Sequence, residues 1–291
     1  MYKECDAVSD RSAKVGLGVG VFVAAVGCGR LNFETQRDAP DGPCNPATWS
    51  APIEVTELAS GLATLDAQIT ADGLALYFRR DSLLNVARRP DRASSFGTPQ
   101  ALSELGATMG SPTISRDERE MYVESEQSGS SCIYRTTRAA ISDPWGTPSE
   151  LTALCIPLPA GGPYLTADGL RLYYHTVEAA SCGEILMSTR ASLADTFGPG
   201  VSVPGAGNSA CYPSLPGNEL EIMFQHDYLP VDVVLGVRAD TSSPFVEVAL
   251  DPDLNAGDSV TNTSFTEDGK ELFFSWGGAP DRIYTLRRGC Q

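Results

Sequence analysis

The sequence predicts an all-β chain folded as a five-bladed β-propeller, and three observations carry that prediction. A ten-residue phrase recurs five times: "ITADGLALYF" from Ile69, "ISRDEREMYV" from Ile114, "LTADGLRLYY" from Leu165, "LPGNELEIMF" from Leu215 and "FTEDGKELFF" from Phe265. After each of the first four copies an arginine is followed seven positions later by an aromatic residue: Arg89 to Phe96, Arg138 to Trp145, Arg190 to Phe197 and Arg238 to Phe245. The fifth copy reaches Ile283 and Arg288 and then ends at Gln291 without its aromatic. The missing piece stands at the front of the domain, where Trp49 precedes Pro52 as Phe96 precedes Pro99 and Trp145 precedes Pro148.

Each repeat reads as four short strands. The first ends at the apolar residue that opens the phrase. A turn follows, signalled by Asp72-Gly73, Asp168-Gly169 and Asp268-Gly269, because Gly takes positive φ and Asp bonds nearby amides. Copy two reads Asp117-Glu118 at this place, and copy four is expected to turn at Gly217-Asn218. "LALYF" and "LRLYY" are second strands rich in Leu, Tyr and Phe. An apolar residue five before each arginine (Leu84, Ile133, Ile185, Val233) marks a third strand, and the aromatic opens a fourth. A four-stranded unit every 45 to 51 residues cannot bury both faces alone, so neighbouring units must stack. The circular offset between the two chain ends closes a ring, with the N-terminal strand completing the last blade. A closed ring removes the open sheet edges that a solenoid would have to cap.

The Ser/Thr-x-Asp-Gly turn into a Leu-Tyr-Phe strand resembles the TolB-type, WD-like propeller repeats of bacterial periplasmic proteins. That resemblance implies a scaffold for protein or cell-envelope contacts. It brings no catalytic motif with it, so no catalytic residue is carried over.

Residues 1–27 read as a leader. Lys3, Arg11 and Lys14 precede the apolar run Val15 to Val26, which is too short to span a bilayer as a mature helix but suits a signal-peptide core. "AVGCGR" then resembles the lipobox of bacterial lipoproteins, with Ala25, Val26 and Gly27 before Cys28, the expected lipidation site. Glu4, Asp6 and Asp10 depart from the positive head of such leaders. Residues 28–43 form a polar tether with a reach of roughly 20 Å, and the propeller occupies 44–291. The resemblance implies a bacterial envelope protein held at a membrane by lipid, at the outer membrane because Gly29 rather than Asp follows the cysteine.

The net charge of −16, with no run of Lys and Arg, excludes a phosphate backbone as partner. No nucleic acid, cofactor or metal is expected. Of eight cysteines, Cys5 lies in the leader and Cys28 is the lipid site. The remaining six form an even set, as in oxidising compartments. The repeat frame pairs Cys44 with Cys290 at the two ends of the closing blade. It also makes Cys132–Cys155 and Cys182–Cys211 plausible, since loops between strands two and three and loops between blades leave the same face. A metal cluster is disfavoured, because no CxxC occurs and the chain has two histidines.

That loop face varies most in length, and it is where binding is expected. His175 and His226 stand at second-strand ends, where other copies carry Arg79, Glu124, Gln225 and Ser275. These read either as a polar binding ring or as strand ends meeting water. Trp276 and Tyr228 are expected in loops after second strands, as an aromatic platform or as packing over a blade. The function expected is a monomeric, non-enzymatic scaffold that contacts an envelope protein or glycan. The alternative is a glycoside hydrolase, whose chemistry needs two carboxylates flanking the scissile bond. The first strands carry Asp66, Ser111, Gly162, Tyr212 and Asn262 at their starts, of which one is acidic. The loop acids Glu178, Glu184 and Asp258 keep the alternative open.

Overall fold

The computed structural model describes residues 49–178, 181–226, 232–250, 260–277 and 280–288. Cys28, the tether, Cys44, Tyr228, Asp258 and Cys290 lie outside the described residues. The first strand, β1 (Ile53–Glu54), belongs to the last blade. Blade one is β2 (Thr64–Ile69), β3 (Ala75–Arg80), β4 (Leu83–Arg88) and β5 (Gln100–Ala101). Blade two is β6 (Gly110–Ile114), β7 (Glu120–Ser125), β8 (Cys132–Thr137) and β9 (Ser149–Glu150). Blade three is β10 (Ala160–Leu165), β11 (Arg171–Glu178), β12 (Ser181–Thr189) and β13 (Val201–Ser202). Blade four is β14 (Ala210–Ser214), β15 (Glu221–His226), β16 (Asp232–Val237) and β17 (Val246–Val248). Blade five is β18 (Val260–Phe265), β19 (Glu271–Trp276) and β20 (Arg282–Arg287), with β1 pairing antiparallel to β20 through Ile53↔Thr285 and Glu54↔Tyr284. The expected closure of the ring is thus observed. Its core lies between blades. Phe78 and Phe96 of blade one pack with Phe273 of blade five, and Tyr77 of blade one packs with Met121 of blade two.

The repeated turn is held by its own side chains. Thr70 Oγ1 donates to Asp72 Oδ1 at 2.6 Å, and the same oxygen accepts the Leu74 amide at 2.9 Å. Thr166–Asp168, Thr266–Asp268 and Ser115–Asp117 repeat the bond. The residue after the Asp takes positive φ: Gly73 (77°), Glu118 (53°), Gly169 (70°), Glu219 (55°) and Gly269 (67°). Copy four therefore turns at Asn218-Glu219, one residue later than its sequence suggested. Asn218 Oδ1 accepts the Leu220 amide at 3.0 Å and so does the work of the aspartate elsewhere.

The seven-residue spacing between arginine and aromatic is a stacked pair. Guanidiniums lie over the rings of Phe96 (4.7 Å), Trp145 (4.2 Å), Phe197 (4.7 Å) and Phe245 (4.3 Å). Arg288 completes the set over Trp49 at 4.2 Å, joining the two ends of the described chain. Four of these arginines also donate Nε to the carbonyl of the positive-φ residue, at 2.6 to 2.7 Å.

The arginines then need carboxylates, and the blades supply them in two ways. Arg89, Arg190 and Arg288 reach a Glu that opens the second strand of the preceding blade: Glu271, Glu120 and Glu221, each at 2.7 Å. For Arg138 and Arg238 that position holds Ala75 and Arg171. There the turn residue itself is Glu rather than Gly, and Glu118 and Glu219 provide the charge from within the blade. A non-Gly residue at positive φ is strained. A nearly buried guanidinium without a counter-charge costs more.

Candidate functional site: the mouth of the central channel

Each inner strand breaks register once, between Leu65 and Gln68, Gly110 and Thr113, Gly161 and Tyr164, Cys211 and Ser214, and Thr261 and Ser264. The bulged residues are the five first-strand positions marked in the sequence: Asp66, Ser111, Gly162, Tyr212 and Asn262. All have positive φ, from 43° to 58°. Bulges of this kind re-aim a residue, and here they turn five residues toward the ring axis, around a throat of about 20 Å³.

Strain repeated in every blade must be held by its surroundings, and the holding groups are the second-strand positions. Glu124 Oε2 accepts the Gly162 amide at 2.9 Å, His175 Nδ1 accepts the Tyr212 amide at 3.4 Å, and Gln225 Oε1 accepts the Asn262 amide at 3.3 Å. Each bond crosses from one blade to the next. Blade one carries Arg79 at this position, which cannot accept. Arg79 instead ion-pairs at 2.8 Å with Asp66, whose Oδ2 takes the Ser111 amide at 3.2 Å. Asn262 Nδ2 closes the ring on Asp66 Oδ1 at 3.0 Å. At the seam the position is Ser275, whose buried Oγ has no hydrogen-bond partner among the described residues. The polar strand ends are therefore interblade latches. They are largely withdrawn from water, His175 at 2% exposed and Gln225 at 8%. At Gly162 a Cβ would lie 2.7 Å from His175 Nδ1 and 2.8 Å from Tyr212 Cδ1, so that bulge requires glycine for space as well as for φ.

Above the throat, a cleft of about 420 Å³ is lined by Asp66, Arg79, Met109, Glu124 and Glu126. Asp66 and Glu124 thus share one cavity, with Glu126 at its rim. Sequence reasoning had both residues in hand but not their meeting, because the bulge that aims Asp66 inward leaves no mark in side-chain alternation. Burial pushes the Asp66 carboxyl up from its ordinary value and the nearby Glu124 charge adds to this, while Arg79 and the Ser111 amide oppose it.

The other expected residues are placed apart from this cleft. His226 ends β15 against the Phe224 ring, at 5.5 Å between centroids. Trp276 is the last residue of β19 rather than part of a loop, and its ring packs edge-on to Tyr284 at 5.0 Å. Glu184 lies within β12 and bonds Ser202, and Glu178 ends β11. Two of the three expected disulfides fall among the described residues and are formed. Cys132–Cys155 has Cα atoms 5.5 Å apart and Cys182–Cys211 5.6 Å. Cys211 sits on inner strand β14 rather than in a loop, so the second bond ties blade three to the innermost strand of blade four.

No protein-family model and no curated protein matches the sequence. Solved structures do match the fold. TolB from Acinetobacter baumannii aligns with a TM-score of 0.52 at 14% identity, over 81% of this chain and 56% of its own. This chain thus spans little more than half of that protein. The α-L-arabinofuranosidase PaAbf62A from Podospora anserina aligns with a TM-score of 0.55 at 14% identity, over 86% of this chain and 98% of its own. The catalytic domain of a Coprinopsis cinerea GH62 α-L-arabinofuranosidase aligns at 0.54 and 12% identity, over 82% and 96%. The chain is a five-bladed β-propeller with a polar cleft at the mouth of its channel. At these identities the likeness is one of fold, shared by TolB-type and glycosidase propellers.

Proposed function

We propose that the protein is a non-enzymatic binding scaffold of the bacterial cell envelope, held to the membrane by lipid on Cys28, whose loop face engages a protein or glycan. One observation carries this reading: of the three carboxylates that line the central cleft, Asp66 and Glu124 are committed to the fold, which leaves Glu126 without a second uncommitted carboxylate in the cleft. Asp66 receives Arg79, the Ser111 amide and the side-chain amide of Asn262, and Glu124 receives the Gly162 amide and the Ser131 hydroxyl at 2.8 Å. A glycosidase acid and base must instead offer their oxygens to a leaving group and a water. The "AVGCGR" leader, the even cysteine set and the TolB-like fold support the envelope location. The test is crosslinking of the lipidated protein in native envelopes, followed by the same experiment on Glu126→Ala and Thr108→Ala, both exposed at the rim of the cleft. Captured partners that persist unchanged in both variants overturn the assignment of the cleft.

A second reading keeps the hydrolase class, because the Asp66 carboxyl is raised and shares its cavity with Glu124, and because arabinofuranosidases have this fold. Release of arabinose from arabinoxylan that is abolished in both Asp66→Asn and Glu124→Gln, with the fold intact, selects it over the scaffold.

A further inference from the structure

His175 differs from the latches of the other blades in what lies beside it. It accepts the amide of the next blade as Glu124 and Gln225 do, and it also faces a disulfide. A ring nitrogen of His175 and the sulfurs of Cys182 and Cys211 all lie within 4.8 Å of one another. The three residues come from three strands: His175 from β11, Cys182 from β12 and Cys211 from β14 of the next blade. Blade three is built to bring them together. Its second and third strands run for 8 and 9 residues, where the matching strands of the other four blades run for 6. The added length sets Cys182 opposite Val177, and the register breaks between Val177 and His175. Gly183 stands at that break, where a Cβ would collide with Thr176 Oγ1. The other described disulfide, Cys132–Cys155, has no third ligand of this kind among the described residues. The absence of CxxC hid the set, because its members share no local spacing.

We infer that His175, Cys182 and Cys211 form a redox-gated zinc site, closed as a disulfide in the oxidised chain and open to Zn2+ when reduced. A dithiol reductant opens the disulfide. It gives up two electrons and two protons, its own sulfurs join, and Cys182 and Cys211 become thiols. Zn2+ then sends both thiol protons to solvent as two S–Zn bonds and one N–Zn bond form. One imidazole nitrogen and two thiolates are donors that zinc takes. Two thiolate charges cancel those of the ion, so a site with His175 and Cys211 buried carries no net charge. Cys182 is half-buried, and the fourth position on its side takes water. A neutral imidazole has one lone pair, so the metal takes the one that now accepts the Tyr212 amide. That bond, at 3.4 Å, is the longest of the three amide latches. Zinc replaces it with a tie to the adjacent Cys211, and blades three and four stay joined in either redox state. The inference does not depend on the proposed role of the channel mouth.

The test uses the full chain, oxidised or reduced with a phosphine, and Co2+ as the probe for Zn2+. The reduced wild type is expected to bind Co2+ with thiolate-to-cobalt absorption in the near ultraviolet and tetrahedral bands in the visible, and to release it to Zn2+. The oxidised wild type should show neither. Cys182→Ser and His175→Gln should each weaken binding by more than about tenfold, the loss that follows from removing even a supporting partner of a ligand. Glutamine holds the matching place in blade four, so His175→Gln keeps an acceptor for the Tyr212 amide, and its oxidised form should melt as the wild type does. Cys132→Ser combined with Cys155→Ser should leave Co2+ binding as it was, which separates this site from thiols elsewhere. Zn2+ should raise the thermal midpoint of the reduced wild type and not that of reduced His175→Gln. Absence of the thiolate-to-cobalt absorption, its equal presence in the oxidised chain, indifference to Cys182→Ser or His175→Gln, or no rise in midpoint with Zn2+ each overturns the inference.

Discussion

Arg89 of the first blade and Glu271 of the last meet at 2.7 Å across the seam where the ring closes, 4% and 6% exposed. The seam has no main-chain amide latch at its channel end, since Ser275 is too short, and Asn262 Nδ2 on Asp66 Oδ1 at 3.0 Å, the Ile69 amide on Ser264 Oγ at 3.0 Å and this ion pair stand in its place. Glu271 also receives Arg92 at 3.0 Å and Arg287 at 3.1 Å. Arg89→Ala removes the stack on Phe96 and the best-buried partner of that carboxylate. It should cost about 3 kcal/mol in denaturant unfolding, within the range for breaking a buried pair. Arg119→Ala, on the surface, should stay within about 0.5 kcal/mol. If the two variants unfold alike, the seam does not depend on Arg89.

The exchange of carboxylates between turn and strand makes a reciprocal prediction. Glu118→Gly relaxes a positive φ but leaves Arg138, Arg88 and the Tyr77 hydroxyl without their acceptor, so it should destabilise by about 2 kcal/mol. Adding Ala75→Glu restores the arrangement seen in blades whose turn is Gly, and should recover part of that loss. A double-variant cycle measures the coupling. Additive effects would show that the two positions do not serve one arginine.

Acid should act on the same pairs. Burial works to raise Glu118 and Glu120, yet their arginine and tyrosine partners hold both below the ordinary value of 4.5. Their folded-state values are depressed, so their stabilisation is present above pH 4.5 and is lost as pH falls through the folded values. Asp66 has the opposite sign. Its folded value is raised above 3.8, so its contribution is present below that value and declines as pH rises through the folded one. Glu120→Gln should flatten the acid limb of a stability-versus-pH curve, and Asp66→Asn should remove a decline on its neutral side. A Glu120→Gln curve parallel to the wild type would remove Glu120 from the acid response.

Disulfide mapping without reductant is expected to return Cys132–Cys155 and Cys182–Cys211, and Cys44–Cys290 as the third bond. Ser50 donates its amide to Arg287 O at 2.9 Å, which brings the chain to within six residues of Cys44 and three of Cys290. Loss of Cys132–Cys155 by double Ser substitution should cost about 3 kcal/mol for a bond spanning 23 residues. Cys44 found on any other cysteine would contradict the pairing.

The blades, the circular closure and the two described disulfides were all legible in the sequence, because turn chemistry and the Arg-to-aromatic interval repeat at fixed spacing. The turn of copy four was misplaced by one residue, since Gly217 is a strong turn signal and Glu219 a weak one. Structure showed that Glu219 takes the glycine conformation for the sake of Arg171 and Arg238. The latches were invisible for another reason. Glu124, His175 and Gln225 share no residue type, and what unites them is the ability to accept one amide from the next blade. Trp276 looked like a loop aromatic because its contacts with Tyr284 lie across strands.

The bulges have an evolutionary corollary. What joins neighbouring blades at the channel mouth is, in four of five places, a main-chain amide of the bulged residue, and every amino acid but proline has one. The amide latch itself places no demand on the side chain at that position, and Asp, Ser, Gly, Tyr and Asn all occupy it here. Duplicated blades could diverge there while the ring stayed assembled, as long as the Asp66–Asn262 contact and the space around Gly162 were kept, so that a common chassis acquires new ligand specificity without first losing its integrity.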